Sequence, residues 1–503
     1  MSEIPEVRAE STFRPALLLM AGRALASLAT LLIPVTLVRF FDQTEYGTYK
    51  QLFLVFATLY SVALVGLSDS LYYFVPKAPE NSGGYVANAV LGLVLSGGAC
   101  LAWLHAARHD VAGWMKNPAL AEHLSSIGVF LFFTLVATVL EIALIARKRY
   151  ATASFTYVIS DIARAACFAL PVAFLAPDLH TLMLWAMGFS AVRLVFALWI
   201  LKREFGSEFR VTPGLMRGQL AYALPFSLYV LVEILQSTFH QYTVSWTFDA
   251  ATFAIYSVGC FQVPLVDFLA TPASSVMMVR MGEELREGRP AGALSIWIDI
   301  TRKLALVFFP MVALLMVTSR EVITLLFTDA YAASAPIFSL WVITIALSVL
   351  QTDGVMRVQA QLRYLFVVNL ARLALIVAAM QPLMAAFGLL GPVIATLLAM
   401  ALAKGLHLVR MRSVMGLRIR DLLPWRSLGA ILAASALAAF PVILMRGRLS
   451  GPRLSVLVAE SVTFGLVYLV LILATGIISN EERTSLFREL RRRTHALLKE
   501  RAA

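Results

Sequence analysis

The sequence predicts an all-α polytopic membrane protein of about fourteen transmembrane helices, and three observations lead there. Of 503 residues, 60% are hydrophobic and only 14% are charged. Mean hydropathy is +0.79, well above that of an ordinary water-soluble domain. Runs of roughly 20 mostly apolar residues, the length needed to cross a hydrocarbon core, recur along the whole chain.

Six such runs come first: Pro15–Val38, Tyr49–Val75, Tyr85–His105, His123–Ala146, Ala153–Leu175 and Thr181–Leu201. Met1–Arg14 ahead of them mixes acids and bases, and the first run is too long for a signal-peptide core, so it reads as a retained helix. The polar stretch Lys202–Arg217 precedes a second six: Gln219–Trp246, Thr252–Met278, Leu304–Thr318, Pro336–Met356, Leu365–Phe387 and Leu389–Val409. Leu304–Thr318 is short unless it begins near Ile298. Leu428–Met445 and Leu454–Ile477 complete the series. The expected organisation is a six-helix set over 1–205, a second over 206–412, a two-helix unit over 413–478 and a tail over 479–503. The two sets carry a weak internal repeat. Phe41-Asp42 followed by Tyr46 and Tyr49 matches Phe248-Asp249 followed by Phe253 and Tyr256, and Arg149-Tyr150 parallels Arg363-Tyr364.

The net charge is +12 and the pI about 9.7. In a soluble protein that balance would point to nucleic acid, but here the bases sit in short loops and a tail beside apolar runs, which is how membrane helices are oriented. With the N-terminus inside, inner segments hold about 29 Lys or Arg against about 8 outside, so both termini are expected in the cytoplasm. The basic inner loops include Arg147-Lys148-Arg149, Lys202–Arg217, Arg280–Lys303 and Arg410–Arg426. Cys100, Cys167 and Cys260 lie in apolar runs without paired or metal-ligand spacing and read as small hydrophobes.

Several motifs, in order along the chain, resemble one family. Arg39-Phe-Phe-Asp-Gln-Thr-Glu-Tyr-Gly-Thr-Tyr49 leads into Gly66-Leu-Ser-Asp-Ser-Leu-Tyr-Tyr-Phe-Val-Pro76. Leu326-Phe-Thr-Asp-Ala-Tyr331 with Ala335-Pro336, and Phe387-Gly-Leu-Leu-Gly-Pro-Val-Ile-Ala-Thr396, follow in the second set. Each is similar to an element of the Wzx-type oligosaccharide and polysaccharide flippases, within the multidrug/oligosaccharidyl-lipid/polysaccharide exporter superfamily. The resemblance implies two six-helix bundles facing a central cavity, with fourteen helices common in the polysaccharide branch. It also implies movement of a polyprenyl-diphosphate-linked oligosaccharide from the cytoplasmic to the periplasmic leaflet of a bacterial inner membrane.

Ionisable groups in hydrocarbon are costly, so those that persist should face a wet cavity or a partner. By the topology above, the intramembrane charges crowd toward the cytoplasmic half, as an inward-opening vestibule for a diphosphate-bearing lipid requires. Arg23, Arg372, Arg164 and Lys404 are the candidate cationic contacts, because guanidinium groups bind phosphate oxygens in a fork. Gly22-Arg23 also resembles the place where related lipid-linked precursor flippases carry a cavity arginine. Arg23 and Arg372 lack an obvious local partner. Arg164 lies three residues after Asp161, so the two share a helix face and could neutralise one another. Arg193 and Lys404 could instead snorkel to the interface. Glu233, Asp267 and Asp161 are the ion-coupling candidates. Glu233 sits at mid-helix, where a salt bridge to a cavity arginine is the alternative, and Asp267 follows Pro264, which frees backbone carbonyls. Asp69, Glu141 and Asp353 are expected to pair with loop bases, and Glu460 reads as peripheral.

Ser479–Arg501 reads as a capped basic amphipathic helix on the anionic inner leaflet. No phosphate-cradling Gly-Lys-Thr loop, paired-His metal motif or soluble nucleotide domain occurs in the sequence. The expectation is therefore a non-enzymatic transporter without cofactor or metal, driven by an H+ or Na+ gradient or the membrane potential. Its partners would be the lipid-linked oligosaccharide, the bilayer and glycan-assembly proteins, with no nucleic acid. A cation-coupled drug or metabolite antiporter is the second reading, and a membrane-embedded glycan polymerase or ligase the third. The third needs a long outer loop, whereas the longest here is His105–Glu122.

Overall fold

A computed structural model of the chain describes residues 30–446, 448 and 451–476, apart from the side chains of Phe226, Leu228 and Tyr229. Arg23, most of the first expected span and the expected tail helix lie outside the described residues. Every regular element among the described residues is helical. They include ten helices long and apolar enough to cross a membrane, or up to twelve when each of two bent pairs is one span. The expected fourteen is thus not established within them. Leu362–Met415 holds two of the expected spans in series, and the first expected span begins outside.

The described residues form two compact units. The first gathers those of Met1–Pro264, Leu326–Ile337 and Phe366–Ala399. Its main helices are α1 (Gln43–Ala63), α2 (Leu67–Lys77), α3 (Ser82–Ala106), α4 (Leu120–Ala137), α5 (Val139–Ala146), α6 (Tyr150–Phe174), α7 (Leu179–Phe205), α8 (Pro213–Thr247) and α9 (Ala250–Gly259). Short helices are named below by their residues.

The internal repeat is realised as two equivalent helix starts. Asp42 caps α1, with its Oδ1 accepting from the Glu45 N–H at 2.8 Å, and Asp249 caps α9 by accepting from the Thr252 N–H at 2.8 Å. Both caps are extended, with ψ of 174° and 172°, so each supplies a partner for a donor that the first turn leaves free. The two helices then pack along each other. Gly47 is obligatory at that contact, since a Cβ there would lie 1.9 Å from the Ala250 carbonyl oxygen. A buried amide network fixes the same end of α1. Asn117 Nδ2 donates to Gln51 Oε1 at 2.7 Å, and Gln51 Nε2 donates to Ser245 Oγ on α8 at 2.8 Å.

Two sequence motifs mark breaks in the helices. The expected span Tyr49–Val75 is interrupted where Val65 and Gly66 take φ of 46° and 60°, so α2 starts afresh at the Gly66-Leu-Ser-Asp element. The Leu326–Tyr331 segment returns to α1. Arg39 Nη1 donates to the Leu326 carbonyl at 3.0 Å, and the buried Tyr331 ring stands edge-on to Tyr46 with centroids 5.7 Å apart. The main core of this unit lies among α2, α3, α4, α5 and α7, with Leu71, Leu93, Leu135, Leu140 and Leu201 fully or almost fully buried. In lipid such packing stabilises through close contact more than through exclusion of water.

The second unit gathers the described residues of Leu265–Leu325, Phe338–Leu365 and Met400–Ala503. It is built mainly from α10 (Pro264–Arg286), α11 (Pro290–Val317), α12 (Ser319–Phe327), the C-terminal part of α14 (Gly391–Met415), α15 (Trp425–Met445) and α16 (Arg453–Ala474), while α13 (Leu362–Phe387) lies mostly in the first unit. The short ninth run is resolved. Pro290, whose fixed φ suits a first helical position, starts a 28-residue helix that absorbs much of the expected Arg280–Lys303 loop. Inside it Lys303 Nζ donates to Asp299 Oδ2 at 2.7 Å, an i,i+4 pair. The buried Trp297 donates its indole N–H to the Leu422 carbonyl at 2.7 Å. Ala438, Val442 and Phe464 join α15 to α16. The expected tenth span is not one rod but three short helices, Ala335–Trp341, Ile343–Ser348 and Thr352–Val358.

Candidate functional site

Within the first unit the buried charges meet at one cavity of about 300 Å³. Tyr60 of α1, Glu141 of α5, Asp161 and Arg164 of α6 and Arg193 of α7 line it. A break between α4 and α5 at Thr138 precedes Glu141 by less than one turn. The Thr138 hydroxyl bonds back to the Thr134 carbonyl at 3.2 Å, a contact that loosens a helix, and lies 2.6 Å from the Tyr60 hydroxyl.

Two ion pairs neutralise the polar wall. Arg193 Nη2 donates to Glu141 Oε1 at 3.0 Å, with both side chains less than one-fifth exposed. Arg164 Nη2 lies 2.8 Å from Asp161 Oδ1 and donates to Thr30 Oγ1 at 2.9 Å. The Arg164 Nε is buried with no hydrogen-bond acceptor among the described residues. A buried donor left without a partner costs about 1–3 kcal/mol, so this nitrogen marks a place for an acceptor that the described residues do not provide.

Residues 36–336 match the family described as polysaccharide biosynthesis protein. The chain belongs to that family. No curated protein sequence matches it. Among solved structures, the lipid II flippase MurJ in an inward closed conformation is similar at a TM-score of 0.71 and 13% identity, covering 92% of this chain and 99% of that one. An inward-facing multidrug resistance MATE family transporter of the MOP superfamily gives 0.62 and 12%, covering 77% and 95%. A MOP superfamily transporter from Pyrococcus furiosus gives 0.56 and 13%, covering 80% and 95%. The fold of this multi-pass membrane protein is therefore that of the MOP superfamily structures.

The remaining candidates lie elsewhere. Lys404 in the second unit donates to Asp353 Oδ2 at 3.2 Å, and Asp353 Oδ1 is 2.9 Å from Nδ1 of the buried His407. Arg372 on α13 is partly buried and has an interaction partner. Glu233 on α8 is exposed and makes no ion pair among the described residues, so the salt bridge its setting allowed is not formed there. Asp267 is exposed in the first turn of α10. Glu141 pairs with Arg193 of α7 and Asp353 with Lys404 of α14, bases that lie within helices and not in loops.

Lys50 was not among the sequence candidates. The span was expected from Tyr49, whereas the Asp42 cap starts α1 at Gln43 and carries Lys50 into the second turn. There it is partly buried, with its ammonium 5.5 Å from the Tyr46 ring centroid. The signal was present as Asp42 with Glu45 three residues on, an N-cap pattern.

Proposed function

We propose that this protein is a flippase that carries a polyprenyl-diphosphate-linked oligosaccharide across a bacterial inner membrane by alternating access, for cell-surface polysaccharide assembly. The observation that carries the reading is the Arg164 Nε, a buried donor without an acceptor among the described residues, beside a cavity lined by two arginines. Phosphate oxygens are strong acceptors that match a guanidinium fork. Asp161 and Glu141 hold the two guanidinium groups in charge-neutral pairs while the site is empty, and the diphosphate displaces them on binding. The released carboxylates then supply a link to an H+ or Na+ gradient, and the membrane potential acts on the net charge carried. Both termini face the cytoplasm in this reading, where glycan-assembly proteins deliver the substrate. Family membership and the MOP fold support it.

Deletion of the gene tests the reading. Surface glycan should be lost while lipid-linked precursor accumulates on the cytoplasmic side, and Arg164→Gln should fail to restore export although the protein reaches the membrane. Normal glycan export in the deletion strain would sink the proposal, and a changed drug-sensitivity profile with intact export would favour an antiporter.

A further inference from the structure

Beyond the break at Gly66, α2 carries a strip of polar and aromatic side chains that the arginine-lined cavity uses only in part. Asp69, Tyr73 and Lys77 stand at i, i+4 and i+8, each one turn beyond the last, and Tyr72 lies three residues from Asp69 on the same side. All four are exposed. Tyr72 also lines the cavity that holds Arg164. Tyr222, exposed on α8, stacks on Tyr73 with ring centroids 4.9 Å apart and planes 12° from parallel. Lys77 Nζ donates to the Tyr73 hydroxyl at 2.7 Å and lies 4.8 Å from the centre of its ring, which holds the ring in that stack. The Asp69 carboxylate, expected from the sequence to pair with a loop base, makes no hydrogen bond or ion pair among the described residues.

An exposed, unpaired carboxylate is costly against hydrocarbon, so the strip faces water although it lies at the end of an apolar run. Asp69 stands about 12 Å along the helix from Lys77, and the space between them is filled by tyrosine. A carboxylate beside an aromatic ring suits a sugar. A pyranose presents an apolar C–H face that rests on an aromatic ring, and hydroxyl groups that donate to a carboxylate. A lipid chain would leave the carboxylate unused, and a phosphate would be repelled by it. We propose that this strip is the sugar-binding part of the substrate site. A pyranose unit of the lipid-linked oligosaccharide stacks on the Tyr222 face turned away from Tyr73, and Asp69 accepts hydrogen bonds from sugar hydroxyls. Tyr73 touches Tyr222 and lies one turn from Asp69, which places both on one surface. Tyr72 joins that surface to the cavity where Arg164 takes the diphosphate. The inference rests on the flippase reading and adds to it the residues that recognise the glycan.

The test titrates the full-length protein in detergent by native mass spectrometry with two probes, the lipid-linked oligosaccharide extracted from the deletion strain and undecaprenyl diphosphate without sugar. Wild-type protein should bind the glycosylated probe about tenfold more tightly. Tyr222→Leu and Asp69→Asn should each lose about five- to tenfold in affinity for that probe and keep the wild-type affinity for the sugar-free one. Tyr222→Trp, which keeps an aromatic face, should retain the preference. The substituted side chains are exposed, so each variant should melt with the wild type. A preference unaltered in both Tyr222→Leu and Asp69→Asn overturns the proposal, and so does an equal loss of both probes, which would make the strip structural. Arg164→Gln should weaken both probes, which tests the diphosphate contact apart from the sugar. A wild type that binds both probes equally defeats this proposal alone, and one that binds neither defeats the flippase reading with it.

Discussion

Replacing Arg193 with glutamine strands Glu141. In the wild type the pair is bound at 3.0 Å with side chains 16% and 12% exposed, so each group has little water to fall back on. Removing one partner of a buried pair leaves an uncompensated charge and costs about 3–5 kcal/mol. A glutamine at 193 still fills the volume and can donate one neutral hydrogen bond, which places the expected loss near the lower end, about 3 kcal/mol. Glu141→Gln should lose a similar amount by stranding the guanidinium. The double variant removes both charges and leaves two amides able to bond each other, so it should recover most of the loss. A double-mutant cycle on unfolding free energy in mixed detergent micelles reads this directly, and a coupling of at least about 2 kcal/mol is expected for groups in contact. Coupling below about 0.5 kcal/mol would refute the claim that the two charges hold each other in the cavity wall.

Gly47→Ala should destabilise by about 1–3 kcal/mol, as forced overpacking does, because its methyl would meet the Ala250 carbonyl. Gly98→Ala, in open space within α3, should be neutral or slightly stabilising in the same unfolding assay. Hydrogen bonds from the Thr252 hydroxyl and N–H hold the Asp249 carboxyl below its ordinary value. Its contribution is therefore complete above the unfolded value of about 3.9 and is lost as pH falls through the lower folded value. Asp249→Ala should cost about 0.5–2 kcal/mol at neutral pH, a typical cap loss, with the difference from wild type shrinking on strong acidification in melting experiments. Asp249→Asn should keep the cap and remove that pH dependence.

Much of the fold could be read from the apolar runs because a bilayer imposes one length on every span. What escaped the reading depended on contacts between distant segments. Asp161 and Arg164 were legible as a pair because three residues on a helix place them on one face. Glu141 and Arg193 are 52 residues apart on different helices, and no periodicity within either helix announces the other. Lys404 and Asp353 escaped for the same reason, at a separation of 51 residues. Glu460 reads as peripheral from the sequence, yet it is buried on α16, because burial there is decided by packing that hydropathy does not report. The break at Val65–Gly66 was hidden inside an unbroken apolar run, since hydropathy reports composition and not φ. Lys50 shows the reverse case, in which the cap at Asp42 was readable but the span was placed by hydropathy alone.

The central claim is that the cavity beside Arg164 binds the diphosphate of a lipid-linked oligosaccharide during its passage across the bilayer. It is tested most directly by reconstituting the purified protein in proteoliposomes with a polyprenyl-diphosphate oligosaccharide and measuring its arrival in the opposite leaflet with a membrane-impermeant lectin or glycosidase. Wild-type protein should expose the glycan well above protein-free vesicles. Arg164→Gln should lose at least about tenfold in rate, which corresponds to removal of a charge-assisted contact of about 1.4 kcal/mol. Glycan transfer that is no faster than in empty vesicles, or that is unaffected by Arg164→Gln, would contradict the account.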